Sequence, residues 1–186
     1  MPTQPREEAG RLFNPGPTTR VREFLGAAGF CRIWIPNFSV LAKPLYKTTK
    51  QGEREPLRWE SVQQKAFEEI KRAVTNAPGL GLPDMTKPFF PYVHERSGIA
   101  VGVLTQMLGS WHHPVAYLSK RLDSVAQGWS PCLWALAATA LLVSEADKLT
   151  MGQELTVRLP HSVLTLMEYN GQYWLTNARM VRYQGM

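Results

Sequence analysis

The residues with which this 186-residue chain could do chemistry are few. His112 and His113 are adjacent, and neighbours on a strand point to opposite faces. A metal there would need two more ligands, and no Cys or His stands at a useful spacing. A solvent-exposed turn is the plainer reading. Cys31 and Cys132 lie far apart and make no disulfide framework; they read as small buried residues rather than nucleophiles. Ser124 and Ser130 lack a His/Asp relay, and His161 reads as a helix-start residue rather than a base. The Gly102 and Gly109 region lacks the spacing of a phosphate loop. The tryptophans at 34, 59, 111, 129, 134 and 174 are scattered, which suits packing better than a base-stacking platform.

What remains is positive charge. The chain carries 21 basic against 15 acidic side chains, a net +6, and the excess is uneven. Residues 1–87 hold 14 Lys and Arg against 9 Asp and Glu, and residues 88–186 hold 7 against 6. A basic half suits contact with a polyanion such as nucleic acid; the bland alternative is an ordinary charged surface.

These residues must be positioned by two kinds of structure. The first half reads as helical. Met1 to Thr18 is a disordered lead-in by composition. Thr19 is the expected N-cap of a first helix with Val21, Phe24, Leu25 and Ala28 on one face, and Gly29 is its stop. A short turn over Phe30–Ile35 leads to Pro36. A second helix is expected over Phe38–Thr48, with Leu41 and Leu45 inward and Lys43, Lys47 and Lys50 outward. After a charged loop over Gln51–Arg58, Ser61 and Gln64 form an expected capping box. It opens a helix with a stripe of Val62, Ala66, Phe67, Ile70 and Val74.

The stretch from Lys87 to Leu122 reads as three strands: Phe89–His94, then Ile99, Val101 and Val103 at spacing two, then Val115 and Tyr117 after Pro114. Ser97-Gly98 and Gly109-Ser110 supply turn chemistry between them. Asp123 or Ser124 caps a long helix, with a kink or fresh start at Pro131. Its segment Cys132–Val143 is apolar nearly all round, as in a helix buried on a sheet. Lys148–Gly152 turns the chain, Glu154–Leu159 forms a fourth strand, and His161–Met167 and Asn177–Tyr183 read as short helices.

A 44% hydrophobic content fits an ordered protein. The apolar run 132–143 is too short to span a bilayer, which takes about 20 residues, so no membrane partner is expected. The first residues hold no apolar signal segment. With two distant cysteines, an intracellular location, cytoplasmic or nuclear, is the expectation.

Ordered blocks across the chain carry a resemblance. They include Val21-Arg22-Glu23-Phe24-Leu25-Gly26, Trp34-Ile35-Pro36, Ala42-Lys43-Pro44-Leu45-Tyr46 and Gln64-Lys65-Ala66-Phe67. Leu82-Pro83-Asp84, Gly102-Val103-Leu104-Thr105-Gln106, Pro114-Val115-Ala116-Tyr117-Leu118-Ser119-Lys120, Lys148-Leu149-Thr150-Met151-Gly152-Gln153 and Asn177-Ala178-Arg179-Met180 follow in order. Together they resemble the thumb and connection region of gammaretrovirus-type reverse transcriptases and of endogenous retroviral elements derived from them.

The resemblance implies an α+β chain. A helical thumb-like subdomain (19–79) follows the lead-in (1–18). A ribonuclease H-like connection domain (80–186) comes next, a mixed sheet with packed helices, expected to be truncated at its C-terminal end with an exposed edge. It also implies what chemistry to look for. Polymerisation in that family uses a palm domain with paired aspartates, and no Asp-Asp pair occurs here. Ribonuclease H cleavage uses carboxylates on the first strand, the first helix and the end of the fourth strand. Here those places hold His94 (with Glu95 beside it), the acid-free helix Cys132–Val143, and Pro160-His161.

The parent family uses Mg2+ and is found in the virion; this chain is expected to use no cofactor and to be no enzyme by itself. The expected role is a non-catalytic fragment that binds RNA/DNA hybrid or other duplex weakly through its backbone. The candidate contacts are Arg20, Arg22, Lys43, Lys47, Lys65, Lys71, Arg72, Arg179 and Arg182. The alternatives are a domesticated module that binds a protein partner, and part of an active polymerase or nuclease if joined to missing domains.

Overall fold

The computed structural model describes residues 17–50, 57–123, 129, 131–160, 164–165 and 181–185, with residues 131–132 and 181–185 described by backbone alone. The chain divides into two compact units, Met1–Cys31 with Leu41–Asn76, and Arg32–Val40 with Ala77–Met186.

The first unit is helical. Helix α1 (Thr18–Phe30) buries Val21, Leu25 and Ala28, the face that the spacing predicts. Its cap differs from expectation. Pro17, not Thr19, is the N-cap and makes no side-chain cap bond. Proline at a helix entrance forgoes an N–H that would be orphaned anyway, and its fixed φ of −68° starts the turn. Helix α2 (Phe38–Thr48) has the expected limits and contains Pro44. Ala42 and Leu45 are buried, whereas Leu41 is only half-buried. The last carbonyls of α2 are satisfied by side chains: Thr48 Oγ1 donates to Leu45 O at 2.8 Å, and Thr49 Oγ1 donates to Tyr46 O at 3.2 Å.

Helix α3 (Ser61–Thr75) takes Glu60 as its N-cap. The capping box is therefore displaced by one residue from Ser61–Gln64: the Glu60 N–H donates to Gln63 Oε1 at 3.2 Å. Gln64 is engaged elsewhere, accepting from Trp59 Nε1 at 2.8 Å. That indole lies edge-on to Phe67, centroids 6.0 Å apart, and Phe67 meets Phe24 of α1 at 4.5 Å. The apolar stripe is narrower than its pattern suggests. Ala66 and Ile70 are buried, but Val62 and Val74 are 58% and 39% exposed, because only the middle of α3 is covered.

The second unit is a five-stranded mixed sheet in the order β3-β2-β1-β4-β5. The strands are β1 (Phe89–Arg96), β2 (Ile99–Leu108), β3 (Trp111–Arg121), β4 (Leu155–Leu159) and β5 (Val181–Gly185). β1, β2 and β3 pair antiparallel, and β4 runs parallel to both β1 and β5. Ser97 and Gly98, with φ of 51° and 77°, form the two-residue hairpin turn that the right-handed twist of strands favours. β3 starts before Pro114 rather than after it. It tolerates that proline because it is an edge strand and its register shifts there, opposite Leu104/Thr105.

Helix α4 (Pro131–Thr150) connects β3 to β4. Pro131 is its first residue, a fresh start rather than a kink; Ser124 and the residues that follow the expected cap at Asp123 or Ser124 lie outside the described residues. The helix runs through Thr150 and leaves only Met151-Gly152 to turn, with φ of 51° and 82°. Ala138, Leu142 and Ala146, four residues apart, lie on Phe89, Val93, Ala100, Leu104, Ala116 and Leu118. The β2 face turned to α4 is thus Ala100, Gly102 and Leu104, not Ile99, Val101 and Val103. The alternation misleads because β2 is buried on both faces. A Cβ at Gly102 would run into the Tyr92 carbonyl oxygen and come within 2.9 Å of Leu142 Cδ1. Glycine is what lets α4 approach the sheet.

The segment Arg32–Val40 belongs to this unit. It holds a 3₁₀ turn over Arg32–Trp34 and is stapled to β3: Ser39 N–H donates to Ser119 Oγ at 2.9 Å, and Ser39 Oγ donates to Ser119 O at 2.8 Å. Residues 181–183, read as the end of a helix, are strand. Asn177–Met180 and most of His161–Met167 lie outside the described residues.

Candidate nucleic-acid interface

Strand β1, helix α4 and the end of β4 meet around a cavity of about 220 Å³ lined by Val93, His94, Glu95, Ala135, Thr139, Leu159 and Pro160. The three places where a ribonuclease H would present carboxylates therefore do converge. The donor set does not fit a two-metal centre. Glu95 is the one acid among the described residues of the lining, and its Oε1 accepts the Gly98 N–H at 2.6 Å, closing the β1–β2 hairpin. Thr139 donates its hydroxyl back to Ala135 O at 2.8 Å. Among the described residues, no group of three His, Cys, Asp or Glu is placed to hold a metal ion; His161 lies outside them.

The other sites of possible chemistry take structural parts. His112 sits in β3 rather than in a turn. Its ring is edge-on to Phe90 and Tyr92, with centroids 5.0 and 5.5 Å away, and its Nδ1 is 3.1 Å from Thr105 Oγ1. The Thr105 hydroxyl donates to Phe90 O at 2.9 Å, so it accepts from the imidazole, and Nδ1 carries the hydrogen. His113 is half-buried beside Gly81, where an added Cβ would come within 2.5 Å of its Nδ1. Cys31 is half-buried rather than buried, and Trp111 is 78% exposed rather than packed.

The candidate cations divide into two sets. Arg22 is spent on the fold: its Nη2 donates to Thr49 O at 2.8 Å, placing a cation at the C-terminal end of α2 where the helix dipole favours it. Lys43 is half-buried and engaged. Lys65 faces Glu69 at 3.9 Å, and Lys71 pairs with Glu68 at 3.4 Å while lying 5.2 Å from the centre of the Phe67 ring. These exposed pairs stabilise little but partly cancel the charge they would offer a phosphate. Arg20, Lys47 and Arg72 are exposed, and no ion pair engages them among the described residues. They lie one on each helix of the unit, which the Phe24–Phe67 and Arg22–Thr49 contacts tie together. Arg179 lies outside the described residues; Arg182 falls in β5, where only the backbone is described.

Sequence reasoning passed over one further cluster. Lys120 at the end of β3 and Lys148 on α4 both reach Glu145 Oε1, each at 2.6 Å. Burial pushes the Glu145 carboxyl up, but the hydrogen bonds and charges of the two lysines outweigh it and hold it below the usual glutamate range.

A mixed sheet of this order, with a helix crossing from β3 to β4, defines a ribonuclease H-like α+β protein. The chain belongs to the family described as the RNase H-like domain found in reverse transcriptase, whose model matches residues 59–157. It is 55% identical over 184 residues, 98% of its length, to the Gag-Pol polyprotein of Woolly monkey sarcoma virus, and spans 11% of that relative. Its fold is similar to that of a foamy virus protease–reverse transcriptase in complex with double-stranded DNA (TM-score 0.77, 21% identity, 97% of this chain and 34% of the other). A foamy virus protease–reverse transcriptase in complex with RNA/DNA hybrid matches as well (TM-score 0.75, 20% identity, 97% of this chain and 26% of the other).

Proposed function

We propose that the chain is a non-catalytic thumb and connection segment of a retroviral reverse transcriptase, and that its work is to hold nucleic-acid duplex by the backbone. In this reading residues 19–79 are the thumb and residues 80–186 the connection. The observation that carries it is the set Arg20, Lys47 and Arg72: one exposed cation on each helix, without acid partners among the described residues. Cations so arranged meet phosphates without reading sequence. Two structural relatives with the same fold were solved on duplexes, which supports the same class of ligand here.

The absence of catalysis rests on the cavity between β1, α4 and β4. A nuclease of this fold class needs several carboxylates to hold its metals, and among its described residues the cavity offers one, already committed to a backbone N–H. The test is binding of a labelled RNA/DNA hybrid by the whole chain across a salt series. Binding should weaken steeply between roughly 50 and 200 mM salt. No binding even at the low end would overturn the reading and leave a protein-binding module as the better account.

A further inference from the structure

We propose that a notch at the open edge of β3, walled by Arg32, Lys120 and Lys148, is a second phosphate-binding station for the duplex, lying outside the helical unit. The proposal rests on the duplex-binding reading and adds the surface of the sheet unit to it.

The notch encloses about 130 Å³, room for a phosphate group, and is lined by Arg32, Ile33, Tyr117, Lys120, Glu145 and Lys148 among others. Three separate stretches of chain supply its charge: the 3₁₀ turn, the end of β3, and the last turns of α4. The Ser39–Ser119 staple keeps the first of these against the second. Two ammonium groups sit on one carboxylate oxygen, each at 2.6 Å, so the nitrogens are no further apart than twice that distance. Like charges so close repel, and Glu145 is what holds them there. Its side chain is 16% exposed while those of Lys120 and Lys148 are 46% and 63% exposed. The carboxylate lies beneath and the ammonium groups face out.

The count of charges favours an added anion. Among the described residues of the lining, three cations stand against one carboxylate, a net +2. Each ammonium has three donor hydrogens and spends one on Glu145. A phosphodiester brings one negative charge and two free oxygens, enough to bridge two neighbouring ammonium groups while the exposed Arg32 closes from the side. Ile33 and Tyr117 form the less polar part of the wall. Lysine point charges carry no base readout, as a backbone contact requires.

The experiment compares the whole wild-type chain with Lys120→Ala/Lys148→Ala, with Arg32→Ala and with Lys87→Ala. Lys87 is a lysine of the same unit paired with Asp84 at 3.3 Å, and it controls for net charge. Hybrid binding is read by anisotropy over a salt series, with circular dichroism to confirm the fold. The double variant should lower the salt slope by about 1 to 2, and Arg32→Ala by about 1. Lys87→Ala should leave it unchanged. A double variant with the wild-type slope overturns the proposal, as does a Lys87→Ala effect of equal size. So does a loss confined to binding of polyglutamate, which would assign the notch to an acidic protein partner. If wild type binds and Lys47→Ala/Arg72→Ala lowers the slope while the notch variants do not, only this inference fails. If wild type does not bind hybrid at all, the duplex reading fails with it.

Discussion

Arg22 Nη2 donates to the carbonyl oxygen of Thr49 at 2.8 Å, across 27 positions of the chain. A residue that pattern alone offers to a phosphate is thus a clamp between α1 and the end of α2. Arg22→Ala should lower the unfolding free energy by about 1.5–3 kcal/mol, the value of a hydrogen bond to a charged group. Urea unfolding measures it. The salt slope of duplex binding should stay at the wild-type value. A slope reduced by a full unit at unchanged stability would return Arg22 to the binding surface.

The cations without an ion pair among the described residues should behave in the opposite way. Lys47→Ala/Arg72→Ala should leave the urea midpoint near wild type and lower the salt slope for hybrid by about 2. Lys65→Ala/Lys71→Ala should lower it by less, because Glu69 and Glu68 already offset those charges. Equal effects for the two pairs would show that net charge, not placement, governs binding.

Gly102→Ala should be among the most damaging single changes in the sheet unit. The new methyl meets a backbone oxygen of β1 on one side and Leu142 on the other, and only the leucine can yield. A loss of about 1–3 kcal/mol is expected from overpacking. Leu142→Ala alone should cost about 2–5 kcal/mol. The double variant should recover part of the sum, since removing Leu142 makes room for the methyl. Strict additivity would mean that the Tyr92 oxygen sets the whole cost.

Glu145 gives the sheet unit an acid limb. Its carboxyl is held below the ordinary glutamate value of 4.5 in the folded chain. A depressed folded value means stability that is fully present above 4.5 and is lost as pH falls through the still lower folded value. Glu145→Gln should flatten that part of the curve of urea midpoint against pH. An unchanged curve would mean that the two lysines do not hold the carboxylate in solution.

With Mg2+ or Mn2+, the chain should neither cleave the RNA of a hybrid nor extend a primer. Glu95→Gln should change little, because its amide oxygen can still accept the Gly98 N–H. Divalent-dependent cleavage that disappears in Glu95→Gln would overturn the non-catalytic reading.

Much of this was legible in sequence where local chemistry decides structure. The limits of α2, the Ser97-Gly98 hairpin and the start at Pro131 each follow from a residue whose backbone preferences leave few choices. The ribonuclease H-like fold was readable from the order of the motifs. Features decided by neighbours were not. Gln64 looks like a capping residue until the indole of Trp59 occupies it. Ile99, Val101 and Val103 look like the core face until both faces of β2 prove buried. Val181–Gly185 is too short and too polar to announce a strand, and becomes one by pairing with β4. The notch escaped for the same reason: Arg32, Lys120 and Lys148 are meaningless as a set until the Ser39–Ser119 staple and α4 bring them together.

The place of β1 in the middle of the sheet also fixes an order of assembly. Its hairpin partner β2 follows at once, and β3 after that, so the three-stranded meander can form while the chain is still being made. The other flank of β1 has to wait until α4 and β4 are synthesised, and β5 waits longer still. Until then the growing chain exposes an unpaired strand edge together with the apolar bed on which α4 will settle. Long-range parallel pairing closes slowly compared with hairpins. The rate-limiting event in maturation of this unit should therefore be the docking of β4 against β1, and the interval before it is when the chain is most exposed to aggregation.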